Sequence, residues 1–194
     1  MGLFNLYKKN SLIKKAYNLF NQGKYQEALK CYDKILKSDS EYIDAWYGKG
    51  VVLEKCGRYH ESLEAYDRVL ELDPKYLVAW HNRGYALAKL EMYREALEAY
   101  DKALEIDYED SEVWYNKGNT LKKLERYQEA IKNYNNALKI DSKFTYAWIG
   151  KGNVFSELEK YQKALKCYNN ALDLDNHCEF ALEAKKNVLK ALKK

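Results

Sequence analysis

The four tryptophans of this 194-residue chain, Trp46, Trp80, Trp114 and Trp148, stand 34 residues apart. A fixed step of that length constrains the fold more than any local propensity, because a recurring segment must be one structural unit used repeatedly. Five further columns keep the step. They are Gly50, Gly84, Gly118 and Gly152; Tyr25, Tyr59, Tyr93, Tyr127 and Tyr161; Tyr32, Tyr66, Tyr100, Tyr134 and Tyr168; Ala28, Ser62, Ala96, Ala130 and Ala164; and Asp39, Asp73, Asp107, Asp141 and Asp175.

Inside one period the spacing is helical. Trp46, Gly50 and Leu53 are four and three residues apart and share a helix face, and Tyr59, Ser62, Leu63, Tyr66, Val69 and Leu70 repeat that rhythm after a break at Cys56-Gly57-Arg58. Two helices of roughly 14 residues, each about 21 Å long, fill the period with two short turns. The aspartate closes each unit, and Pro74 reinforces one of those turns because proline cannot continue a helix. The glycine is expected to let the second helix approach the first, with the Ala/Ser column across that contact.

Trp, a following Gly, a large residue, then Tyr, Ala, an aromatic and Ala form the signature of the tetratricopeptide repeat family, which this chain resembles over residues 9–178. The resemblance implies an all-α fold, a right-handed α-solenoid (superhelix) of stacked antiparallel helix pairs. The array spans 1–194, with repeats at 9–42, 43–76, 77–110, 111–144 and 145–178 and a C-terminal capping helix at 179–194. Repeat arrays need such a cap, since each unit buries its apolar face only against a neighbour. The first repeat departs from the signature with Leu12 for Trp and Ala16 for Gly. The position before the glycine is basic throughout (Lys15, Lys49, Arg83, Lys117, Lys151), and these stems are expected to cover apolar surface with their charge in water. The first eight residues extend the first helix or pack on its outer side.

Charge excludes some function classes. The chain has 33 basic and 29 acidic residues, a net charge of +4, which is too mild for the concentrated basic stripe of a nucleic-acid binder. No run of about 18 apolar residues exists for a membrane span, and the start has no secretory pattern. Gly2 suggests myristoylation, but Leu6 stands where that motif needs Ser or Thr. The lysines of the last helix suggest a membrane-surface helix, but Leu182, Leu189 and Leu192 make a thin apolar face for it. Cys31, Cys56, Cys167 and Cys178 form no Cys-x-x-Cys pair and read as reduced thiols, which points to the cytoplasm and to no metal site or cofactor.

Family resemblance places ligands on the concave face lined by the first helix of each repeat. Ten of the nineteen tyrosines belong to framework columns. Tyr17, Tyr47, Tyr85, Tyr115 and Tyr146 fall instead on groove positions, with His81, Asn82, Asn116, Asn119, Lys123 and Asn153. Tyrosine gives contact area at low entropy cost, and the asparagine amide both donates and accepts, so this face suits an extended peptide. Related grooves use asparagine ladders on peptide backbones. The Lys/Asn/Arg clamp of chaperone-binding members is absent, since its opening lysine position holds Ile13, Tyr47, His81, Tyr115 and Ile149.

The resulting expectation is a protein-interaction scaffold for a peptide or partner protein. A homo-oligomer pairing through Leu3, Phe4 and Leu6 at an open solenoid end is the alternative. Helical repeats also read RNA, but that needs matching readout positions in every unit, and the groove positions vary. An enzyme is not expected. His60, His81 and His177 are scattered, and neither a nucleophile–base pair nor a glycine-rich phosphate loop is present.

Overall fold

The computed structural model of the protein describes residues 3–193, with the side chains of residues 3–6 outside that description. The apolar side chains of Leu3, Phe4 and Leu6, expected to pair with a second copy, therefore lie outside the described residues. The described residues form eleven α-helices and no strand. They are α1 (Leu3–Asn21), α2 (Tyr25–Ser38), α3 (Ile43–Lys55), α4 (Tyr59–Leu72), α5 (Leu77–Lys89), α6 (Tyr93–Ile106), α7 (Ser111–Lys123), α8 (Tyr127–Ile140), α9 (Thr145–Glu157), α10 (Tyr161–Leu174) and α11 (Glu179–Ala191). Residues 3–8 are part of the first helix. Contacts divide the chain into two compact units, one ending at Lys102 and one beginning at Ala103, a division that falls within α6. In the first unit α1 packs on α2, α2 on α3, α3 on α4 and α4 on α5; in the second α7 packs on α8, α8 on α9, α9 on α10 and α10 on α11.

The glycine column is where the pairs of the second to fifth repeats close. A Cβ built on Gly50, Gly84, Gly118 or Gly152 would stand 2.5, 2.6, 2.8 or 2.5 Å from the ring of Tyr66, Tyr100, Tyr134 or Tyr168 of the second helix. Sequence spacing favours the Ala/Ser column across this contact. The structure puts the ring of the second tyrosine column nearest to the glycine, and the Ala/Ser column is fully buried. Gly48 and Gly150 offer a second seat, where a Cβ would lie 2.5 Å from Tyr32 and 2.8 Å from Tyr134 of the preceding repeat. The Tyr134 ring thus meets a glycine of its own repeat and one of the next.

The turn between the paired helices repeats a left-handed residue. Gly23 and Gly57 adopt φ of 73°, while Glu91, Glu125 and Glu159 hold φ of 61°, 57° and 57° in the same column. The following amide bonds back across the turn, as from Lys24 N to Leu19 O (2.9 Å) and from Arg126 N to Leu121 O (2.9 Å), which satisfies carbonyls that the helix end would leave open. Glutamate there carries a steric penalty that glycine avoids.

The aspartate column works by its side chain. In each of five turns its Oδ1 accepts from the backbone amide two residues on, at 3.2 Å (Asp39), 3.0 Å (Asp73), 2.8 Å (Asp107), 2.9 Å (Asp141) and 3.1 Å (Asp175). The tryptophan that follows locks the same turn. Its indole donates to the carbonyl of Ser40, Pro74, Tyr108 or Ser142 at 2.8–3.2 Å. The basic column is likewise engaged rather than simply hydrated. Lys49, Arg83, Lys117 and Lys151 lie 5.1–5.7 Å from the centres of the Trp46, Trp80, Trp114 and Trp148 rings. Lys49 also pairs with Asp33 (2.8 Å) and Arg83 with Asp67 (2.7 Å), each on the second helix of the preceding repeat. A cation over an aromatic face is favoured electrostatically even at an exposed site.

Helix α11 docks through Ala181 and Val188, while Leu182, Leu189 and Leu192 stay exposed. In the glycine column it carries Lys186. No tyrosine-bearing second helix follows it among the described residues, so no ring requires a glycine there.

Two substitutions test this packing by urea unfolding. Gly152→Ala drives a methyl into the Tyr168 ring and is expected to cost about 1–3 kcal/mol. Glu125→Gly relieves the left-handed strain and is expected to gain about 0.5–1 kcal/mol, the rest being offset by the entropy glycine adds to the unfolded chain.

Candidate functional site

In the first unit α3 and α5 carry the expected residues. Tyr47 is half-buried, its ring 5.4 Å from that of Tyr76 and 6.3 Å from that of Tyr66. Asn82 Nδ2 donates to the Tyr47 hydroxyl at 3.4 Å, so these two expected residues meet. His81 lies with its ring 6.2 Å from that of Tyr100. Tyr85 is half-buried, with Lys89 Nζ 5.1 Å from its ring centre. Tyr17 on α1 is exposed.

In the second unit Tyr115 is wedged between Tyr134 and Phe144, at ring separations of 6.0 and 5.0 Å. Asn116, Asn119 and Lys123 follow on α7 at helical spacing, so they share its face. Thr120 Oγ1 donates to the Asn116 carbonyl at 3.0 Å, and Lys123 is exposed. On α9, Tyr146 and Asn153 are seven residues apart and align along the helix. Tyr146 is 52% exposed and its ring lies 6.5 Å from that of Phe180, itself 69% exposed. Phe180 is one period beyond Tyr146, and the same step from Asn153 reaches Asn187, so carrying the register into α11 would have found both.

Hydrogen bonds tie this face to the core. Tyr134 donates its hydroxyl to Asn119 Oδ1 at 2.8 Å, Tyr168 to Asn153 Oδ1 at 2.9 Å, and Tyr66 to Glu54 Oε2 at 3.0 Å. The three tyrosines are at most 1% exposed. A phenol that deep has no water to receive its proton, so the proton must go to a protein acceptor. The asparagine oxygen therefore points inward. Its amide Nδ2 is left as a donor, with no hydrogen bond among the described residues in either Asn119 or Asn153. Burial raises the Tyr66 and Tyr134 hydroxyls far above their ordinary range and pushes Tyr168 up to about 12, so all three remain donors at any physiological pH.

Glu54 was not among the expected site residues, although the repeat register puts it on the same first-helix face as Tyr47. It sits half-buried on α3, aligned with Asp44, Tyr47 and Val51 at helical spacing. Burial raises its carboxyl pKa, while the Tyr66 hydrogen bond and the charges of Lys55 and Lys89 oppose that rise. The four cysteines are free thiols. Among the described residues no group of three or more His, Cys, Asp or Glu is placed to hold a metal ion, and no helix is long and apolar enough to cross a membrane.

Paired helices at one period, closed by a tyrosine in a glycine seat and presenting a polar first-helix face, define a helical repeat protein. The tetratricopeptide repeat family matches residues 13–76, 78–107, 111–144 and 145–178, and the chain belongs to it. No curated protein matches the sequence. Solved structures resemble it over most of its length. YrrB, described as a tetratricopeptide repeat protein with an unusual peptide-binding site, is 27% identical with a TM-score of 0.73 over 90% of each chain. MamA from Desulfovibrio magneticus is 19% identical with a TM-score of 0.80, over 89% of this chain and 97% of that one. A tetratricopeptide repeat protein from Parabacteroides merdae is 18% identical with a TM-score of 0.84, over 97% of this chain and 75% of that one.

Coupling between core and face is measurable. Tyr134→Phe and Asn119→Ala are each expected to cost about 1 kcal/mol in urea unfolding, and the double variant less than their sum, because both remove the same hydrogen bond.

Proposed function

We propose that the protein is an interaction scaffold that holds an extended peptide on the first-helix faces of its repeats. The observation that carries this reading is the fixed orientation of Asn119 and Asn153. Each has its oxygen engaged by a buried tyrosine and its Nδ2 donors outward. A donor held in place loses little entropy when it grips a ligand carbonyl. Tyr115, Asn116 and Lys123 on α7 and Tyr146 on α9 supply aromatic area and further polar contacts beside them. In the first unit Tyr47, His81, Asn82 and Tyr85 occupy the equivalent positions. The likeness to YrrB, a protein described by its peptide-binding site, supports the same reading.

Asparagine-to-aspartate changes separate binding from folding. Aspartate still accepts the tyrosine proton but loses the outward N–H donors and repels carbonyl oxygens. Peptides selected on the full-length protein from a displayed random 12-residue library are expected to bind the Asn119→Asp/Asn153→Asp variant at least about tenfold more weakly by fluorescence anisotropy. Unchanged affinity would remove these residues from the binding face.

A further inference from the structure

The first unit offers chemistry of the opposite sign. Asp44, Tyr47, Val51 and Glu54 form one stripe along α3, with a carboxylate at each end. The two are ten residues apart, about 15 Å along the axis. Glu54 is the more constrained of the pair, half-buried and held through Oε2 by the Tyr66 hydroxyl at 3.0 Å. It forms no ion pair among the described residues. Lys89, the cation across from it on α5, instead has Nζ 5.1 Å from the centre of the Tyr85 ring. Rings of Tyr47, Tyr66 and Tyr76 gather around the same stretch, and aromatic faces attract cations.

We infer that Glu54, with the Tyr47 ring beside it, is a subsite on the first unit for a basic side chain, arginine or lysine, of a bound peptide. The inference rests on the reading that first-helix faces hold peptides, and it names the side chain this one selects. A carboxylate kept half out of water without a direct ion pair is a standing cost to the fold, and an incoming guanidinium or ammonium offsets it. The raised Glu54 carboxyl agrees with that cost. Because the folded-state pKa is raised, Glu54 weakens the fold as pH climbs through the interval above the free carboxyl value. Glu54→Gln keeps an acceptor for Tyr66 and should be at least as stable as the parent at neutral pH.

The test uses the full chain and the displayed random 12-residue library. Peptides selected on the parent at pH 7.4 are expected to be enriched in Arg or Lys at one position. Their affinity should fall about tenfold in Glu54→Gln and be unchanged or tighter in Lys89→Met, which removes a competing cation. Replacing the selected arginine by citrulline should cost the parent the same factor and cost Glu54→Gln almost nothing. Absence of basic enrichment, or equal affinity of parent and Glu54→Gln, overturns the inference. If Asn119→Asp/Asn153→Asp weakens the same peptides while Glu54→Gln does not, the peptide-holding reading stands and this subsite falls. If basic peptides respond to Glu54→Gln but not to the asparagine changes, the subsite stands and the asparagine donors fall. Selection of no peptide overturns both.

Discussion

A tyrosine ring in the place of a missing side chain is the contact on which the rest of the structure depends. Each glycine of the column leaves a gap on its first helix, and the ring on the second helix fills it so closely that a single methyl would collide. In the repeats that carry glycine a larger residue in that seat would force something to shift, whereas the first pair closes around Ala16. Where glycine also recurs two residues earlier, as at Gly150, one ring serves both its own repeat and the next. Packing within a repeat and between repeats then shares a side chain, which makes neighbouring units mutually dependent.

That same ring imposes a demand on the first-helix face. Its hydroxyl is carried into a place without water, and its proton needs an acceptor on the first helix. The acceptor is Glu54 in one repeat, Asn119 and Asn153 in two others. Either choice satisfies the core but leaves a different group facing out. An asparagine leaves two N–H donors, and a glutamate leaves a half-buried negative charge. The chemistry this face exposes is therefore partly set by a hydrogen bond that the fold itself requires. At each of these positions one residue both satisfies the core and sets what the face exposes.

At the edges of the repeats the ordering is electrostatic rather than apolar. The closing aspartate shapes its own turn, the next tryptophan donates into that turn, and a cation three residues on covers the indole and, as Lys49 and Arg83 do, reaches an aspartate behind. Exposed ion pairs alone contribute little. Here the cation gains from both the ring and the carboxylate, and the turn is fixed independently by two hydrogen bonds. The three glutamates in left-handed turns are the visible strain in the scaffold.

Helix pairs, period and family were legible from the residues, because a recurring register is a property of covalent order and needs no tertiary information. Aromatic and asparagine residues on the first helices were legible for the same reason. What occupies the glycine seat was not. The alanine column is nearer to hand in sequence, yet the tyrosine sixteen residues on from Gly118 is what reaches it. Nor could the register say that the basic column would cover indoles, that Asn119 and Asn153 would turn their oxygens inward, or that Glu54 would stand half-buried. Each of those outcomes is decided by which group lacks water once the helices close. Sequence by itself determined the repeat and the faces it presents. Only the tertiary structure decided which polar atoms on those faces are used up by the core and which stay open, since that depends on where burial leaves a donor without an acceptor.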